Sequence, residues 1–556
     1  IGSDRYAMSD TIGIRNPWEC HHRFLPLALP PEANFFHRNF NNMTATDYGP
    51  VIRQLQGFDA DHSSQDFLIV GDIESHRYVL IGAVTARRSL TYLYLHCRQT
   101  RVVGVSYYQP DIAPDGEPEM MVRLDGEDWR SLLIEYARQA AEYADVLPIA
   151  AEKNVLGYCS WYYYHQSITC DQFFENVQAL VEARCDFPAQ IAQVDDGYQA
   201  HHGDWLTSNS RWPVSLAEVA ARIRRHGMRA GIWLMPLLAS TSSELFGRHP
   251  EWFVKDGEGQ PWLVRGWSPP PEHHWACLDA TRNEVLEHLR HVFITLHEWG
   301  FDYFKMDGLG FMMPSGRRDD PQATGVSAYR LALETIRRAV PSATLLGCCP
   351  PYLASLGLID HARVSADTAA CWIKHRHVDG ISYEEDNAPP DPESPCLSNA
   401  LHQALARWWM MDRWFRADPD VVLVRENSSR LTEGEARLSA LAGILTGVII
   451  TSDHFGHMNQ ERLSLLRRIA PLRLRDPRPI AWRPGYWPQA FEGILQGRRA
   501  VAIFNDLPRP QDWRLCDWQF DDGVDELLHP MGALRDVITV PPHDAALFVE
   551  RQKAMK

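Results

Sequence analysis

The run Tyr303-Phe304-Lys305-Met306-Asp307-Gly308 follows a helix end at Trp299-Gly300 and reads as a strand. Side chains two apart on a strand share a face, so Lys305 and Asp307 project to one side while Phe304 and Met306 pack on the other. The ammonium favours the ionised carboxyl, the form a nucleophile toward an anomeric carbon must take. A second run, Arg363-Val364-Ser365-Ala366-Asp367, repeats the spacing and supplies another carboxylate. Two carboxylates on separate strands are the minimum equipment for cleaving a glycoside, one as nucleophile and one as proton donor and then base. Their spatial separation, roughly 5–5.5 Å for retention and 6.5–9.5 Å for inversion, is not readable from a sequence. For Asp367 to hold a proton near neutral pH its pKa must lie above the ordinary carboxylate value, so Arg363 is expected to face Asp307 or a sugar hydroxyl more than Asp367. The structural alternatives are a Lys305-Asp307 pair closing a barrel end and an Arg363-Asp367 salt bridge.

A third cluster is Gln193-Val194-Asp195-Asp196-Gly197-Tyr198, followed by Gly203-Asp204-Trp205. Adjacent acids on a regular strand point to opposite faces, but the glycine permits a turn that brings both toward one ligand. Carboxylates accept sugar hydroxyls with good geometry, and Asp195, Asp196, Asp204 and Trp205 are candidate substrate contacts. The alternative is a capping or solvated Asp pair. Cation binding is disfavoured, because no further oxygen ligands follow as in a calcium loop.

The elements that must position these groups follow a repeating pattern. From Val155 onward short apolar runs alternate with amphipathic helical stretches, the pattern of βα units with parallel strands. The candidate strands are VLGYCSWYYY, AQIAQVDDGY, MRAGIWLMPL, FDYFKMDGL, ATLLGCCP, HARVSADTA, RWFRADPDVVL and GVIITSDHF. The helices VSLAEVAARIRRHG and TRNEVLEHLRHVFITLHEWG close on Gly227 and Gly300. The fold class is therefore α/β, with a central (β/α)8 TIM barrel over 149–471. Sites of that fold lie at the C-terminal strand ends, where the carboxylates fall. Residues 1–148, with runs such as DFLIVGDI, read as an N-terminal β-sandwich leading through an amphipathic stretch at Trp129–Ala144, and residues 472–556 as a C-terminal antiparallel β domain.

Composition narrows the partners. The 556 residues carry a formal charge of −16, which disfavours a nucleic-acid partner, and 45% hydrophobic and 23% charged residues fit an ordinary globular protein. The 11 cysteines form no regular framework, no apolar run is long enough for a bilayer, and the polar start lacks a signal-like core, so a cytoplasmic location and no membrane partner are expected. The 19 Trp and 19 Tyr serve either as large-core residues or as stacking platforms for sugar faces, and a split between the two is expected in Tyr162-Tyr163-Tyr164. No Gly-rich phosphate loop stands in a strand-helix context, so no cofactor is implied.

The series QVDDGY…GDW, GIWLMP, HPEW, LDATRNEV, WGFDYFKMD, GCCPPYLASLGLIDHARVSADTAACW and DRWFRADPDVVLVRE resembles the glycoside hydrolase family 36 α-galactosidases of the compact bacterial three-domain type, from about Gly157 to Asp453. The resemblance implies a retaining, exo-acting α-galactosidase acting on an oligosaccharide or glycoside, with Asp307 as nucleophile and Asp367 as general acid/base. It further implies Asp195 and Asp196 on sugar hydroxyls and Trp233, Lys305, Cys348 and Arg363 lining the sugar subsite. The chain departs from larger members at Trp233-Leu234-Met235-Pro236 and at Cys348-Cys349-Pro350-Pro351. An α-glucosidase, an α-N-acetylgalactosaminidase or a transglycosylase would use the same two acids. A homo-oligomer is compatible with the sequence. Two other classes are a metal-dependent barrel hydrolase, prompted by His201-His202, His273-His274 and His375-Arg376-His377, and a non-catalytic sugar-binding protein. The histidines sit in expected loops without metal-ligand spacing, and the presence of both acids argues against a decayed enzyme.

Overall fold

The computed structural model describes residues 34–37, 51–54, 61–72, 76–98, 101–113, 116–147, 149, 154–266, 274–373, 395–482, 488–518, 520, 524–529 and 537–551. His273, His375 and His377 lie outside the described residues. Eight short strands form the central sheet: β1 Val155–Cys159, β2 Ile191–Val194, β3 Arg229–Leu234, β4 Phe301–Met306, β5 Thr344–Gly347, β6 His361–Arg363, β7 Arg416–Asp418 and β8 Val448–Thr451. Each pairs in parallel with the next from β1 to β7, and β8 returns to pair with β1. Between β7 and β8 the ring is bridged by Val422 in parallel with Thr451, with Val422 N donating to Ile450 O at 2.8 Å. The sheet is a TIM barrel. Its strands read as nearly continuous apolar runs because side chains inside and helices outside cover both faces.

Local sequence fixes where the strands start. Helix Leu216–Arg225 is capped by Ser215, whose side chain accepts from Glu218 N, and carries three arginines in its last turn, where they complement the helix dipole. Helix Asn283–Glu298 stops at Trp299, and Gly300 at φ 110° turns the chain directly into β4. The expected first strand is shorter than its aromatic run. After Cys159 the chain coils into the turn Trp161–Tyr164, because Ser452 Oγ, itself donating to Cys159 O at 2.6 Å, accepts from Tyr162 N at 2.8 Å. A tertiary contact overrides the β preference of the tyrosines.

At the N-terminal end two antiparallel sheets pack face to face. Leu68, Val70, Val79 and Ile81 of the larger sheet meet Leu93, Leu95, Val105 and Tyr107 of the smaller. The other side of the larger sheet is buried as well, since Phe67, Ile69, Tyr78 and Leu80 join the main core with helix Trp129–Tyr143 and the barrel. Phe67 lies 5.1 Å from Tyr136 and 5.2 Å from Trp409, and Trp414 Nε1 donates to Ala137 O at 2.9 Å. A C-terminal antiparallel sheet, with Pro488–Leu495, Arg498–Asn505 and Asp544–Glu550 at its centre, encloses a separate small core. Among the described residues no helix is long and apolar enough to cross a membrane.

Candidate active site

A cavity of about 600 Å³ opens at the C-terminal strand ends, within the size range of small-ligand sites. Lys305 and Asp307 from β4, and Arg363, Ser365 and Asp367 from β6 and the turn after it, line one space. Asp307 sits one residue past its strand. Its Oδ2 accepts from Trp233 Nε1 at 3.1 Å and its Oδ1 from Gly308 N at 2.7 Å, a contact that uses the left-handed φ of 68° at Gly308. Burial pushes the Asp307 carboxyl above its ordinary value, with Lys305 and Arg363 pulling against it and Asp367 adding to it.

On the β2 side, Asp195 Oδ2 accepts from Lys305 Nζ at 2.8 Å and from Gln193 Nε2 at 2.6 Å. Asp196 accepts from Gln199 Nε2 at 2.6 Å and Gln166 Nε2 at 2.7 Å, and His202 Nε2 lies 3.1 Å from it. Burial raises the Asp196 carboxyl, but His202 and the amide donors more than offset that and leave it below the ordinary value. Both acids reach the cavity wall because Gly197, at φ 123°, turns the chain where a Cβ would meet Gln166 O at 2.7 Å. Asp195 holds Lys305 as a cation far above its usual range despite burial.

The β6 side corrects one expectation. Arg363 Nη2 lies 2.5 Å from Asp367 Oδ1, while its Nε donates to Ser365 O at 3.2 Å. The strand ends at Arg363, so the following turn, not strand alternation, carries Asp367 back onto the guanidinium. Burial raises the Asp367 carboxyl, but Arg363 and Lys305 pull it further down, and the net position is below the ordinary value, not above it. Of the Asp367 side chain, 43% is open to the cavity.

Residues 165–344 match the Melibiase family. Over 119 residues, 20% of this chain and 11% of the relative, it is 29% identical to the A type blood α-D-galactosamine galactosaminidase of Flavonifractor plautii. The matched segments span between 11% and 26% of the length of the curated relatives. An α-galactosidase from Thermus thermophilus, solved with p-nitrophenyl α-D-galactopyranoside, superposes with TM-score 0.66 at 24% identity over 90% of this chain and 98% of that one. A family 36 α-galactosidase of Geobacillus stearothermophilus shares the fold at TM-score 0.60 and 11% identity, over 95% of this chain and 76% of that one.

Three expected sugar contacts lie away from the cavity wall. Asp204 accepts from Glu244 N at 2.9 Å and Leu245 N at 3.1 Å, satisfying the first turn of helix Glu244–Arg248. Trp205 is buried behind Trp233, with ring centroids 5.8 Å apart. Cys348 is fully buried, and the left-handed turn at Cys349, φ 50°, puts Cys349 on the wall in its place. Of the tyrosine run, Tyr162 and Tyr164 line the cavity, while the Tyr163 hydroxyl lies 3.1 Å from His457 Nδ1. Sequence reasoning missed Gln166, Tyr352, Gln403 and Arg407 on the wall. Gln403 accepts from Ala366 N at 2.5 Å and Arg407 donates to Val364 O at 2.9 Å, which ties the Asp367 turn to helix Leu397–Ala406. No motif spacing marks those two residues. His202 serves Asp196, and among the described residues no cluster of His, Cys, Asp or Glu has metal-holding geometry.

Proposed function

We propose that the chain is a retaining, exo-acting α-galactosidase that releases terminal α-galactosyl residues from oligosaccharides through a covalent glycosyl-aspartate, with 149–471 as the catalytic unit. The observation that carries the reading is that Asp307 and Asp367 face one cavity whose other wall presents Asp195, Asp196 and Trp233. The galactoside bound by the Thermus thermophilus structure supports the choice of sugar. In this reading an Asp307 oxygen bonds to C1 as the glycosidic C–O bond breaks, and the Asp367 proton goes to the leaving oxygen. Water then gives a proton to Asp367, and its oxygen attacks C1 and releases Asp307 with net retention. Lys305 and Arg363 keep Asp307 anionic, and the Trp233 N–H holds one of its oxygens.

The productive state needs Asp307 ionised and Asp367 protonated, yet burial raises the first and Arg363 lowers the second. The working form is thus a minority protonation state, and the bell-shaped pH profile belongs to the pair and peaks on the acidic side of neutral. A panel of aryl α-glycosides, with the product anomer followed by NMR, tests the proposal. The galactoside is expected to react fastest and to release the α-anomer first; equal or faster hydrolysis of the glucoside or N-acetylgalactosaminide, or release of the β-anomer, overturns it.

A further inference from the structure

Asp420 closes the run Asp418-Pro419-Asp420 just beyond β7. Its φ of 78° lies in the left-handed region, which Asp and Asn enter more readily than other side chains. That turn brings its buried carboxylate up to the residues around Asp367. The Tyr162 hydroxyl donates to Asp420 Oδ2, and Thr368 N donates to the same oxygen at 2.8 Å. Arg363 Nη1 stands 4.0 Å from Asp420 Oδ1, while Nη2 of the same guanidinium holds Asp367 at 2.5 Å. One cation is thus shared by two carboxylates, and Asp420 also pins the backbone one residue beyond Asp367.

We propose that Asp420 is the positioning residue of the proton donor: it fixes Asp367 through Thr368 and, by competing for Arg363, sets how firmly Asp367 is held as an anion. The inference rests on Asp367 being the acid/base of the proposed reaction. Asp420 faces Arg363 and Lys305 as cations, Asp367 and Asp418 as acids, and the Tyr162 and Cys349 protons. Asp367 faces Arg363, Lys305, Asp307, Asp420, Tyr162, His165 and Cys349. Burial, with Asp420 adding to it, lifts Asp418 to about 8, so at neutral pH Asp418 is a neutral acid. Burial lifts Asp420 to about 6 against the pull of Arg363, so Asp420 becomes an anion on approaching neutrality. An anion that takes part of the guanidinium's charge makes Asp367 bind its proton more tightly, the direction acid catalysis requires.

Asp420→Asn keeps the shape and tolerates the backbone while deleting the charge. In the full chain kcat/KM on a substrate with a sugar leaving group is expected to fall about tenfold, at neutral pH and at the maximum of the profile alike, because a more acidic Asp367 makes the working protonation state rarer. A 2,4-dinitrophenyl α-galactoside, whose leaving group needs no proton, is expected to lose several-fold less. Superimposable profiles, or equal losses on both substrates, overturn the proposal, since a merely structural role lowers both alike. The unmodified protein gives a second measurement. The carboxyl 13C signal of Asp367 in the Asp-labelled chain, assigned with Asp367→Asn, is expected to show an additional inflection near pH 6 as Asp420 ionises. A titration without it overturns the inference. This readout needs no turnover, so failure of the galactosidase reading on the glycoside panel is a separate result.

Discussion

On the β2–β4 side of the cavity Asp195 has Lys305 as its cation, and Asp196 has Gln166, Gln199 and His202. On the β6–β7 side a single guanidinium serves both Asp367 and Asp420. The first side is matched group for group, which suits the holding of a sugar in one pose. On the second, two carboxylates share one guanidinium, so Asp367 is held as an anion less firmly than a cation of its own would hold it.

The most severe way to break this division is to remove the group where both sides meet. Asp307→Ala is expected to cost about three or more orders of magnitude in turnover while the protein melts normally; near-normal rates on an aryl galactoside would remove Asp307 from its role. Lys305→Met leaves Asp195 buried without its cation and is expected to lower stability by about 3–5 kcal/mol in a urea titration, with activity falling too. A loss below about 1 kcal/mol would mean that the matched side does not depend on its ion pair. Asp204→Ala removes a helix cap, with an expected cost of about 1 kcal/mol and unchanged kcat/KM. Reduced kcat/KM at unchanged stability would return Asp204 to the sugar contacts that the GDW motif suggests.

The barrel was legible because its strands announce themselves chemically: apolar runs such as AQIAQV and FDYFKM end where a polar residue and a glycine begin, and the helices before RAGIWL and FDYFKM close on Gly227 and Gly300. Asp307 and Asp367 were legible for the same reason, since strand ends at one barrel face converge. What escaped was partner choice. Tyr162 meets Asp420 from far along the chain, and no spacing rule links the segments that follow β1 and β7. Arg363 was misassigned because its strand stops at that residue, so two-residue alternation no longer governs the turn to Asp367. Asp204 was misassigned because an acid after a glycine caps a backbone as readily as it binds a hydroxyl.

The larger N-terminal sheet is buried on both faces, and Phe67, Tyr136, Trp409 and Trp414 interlock where it meets the barrel. Severed near residue 149, the barrel would present a raw oily wall to water, each aromatic exposing on the order of 150–250 Å². The accessory module is thus no detachable cassette: barrel and sheet are expected to melt as one piece, and a barrel expressed alone is expected to stick to its own copies.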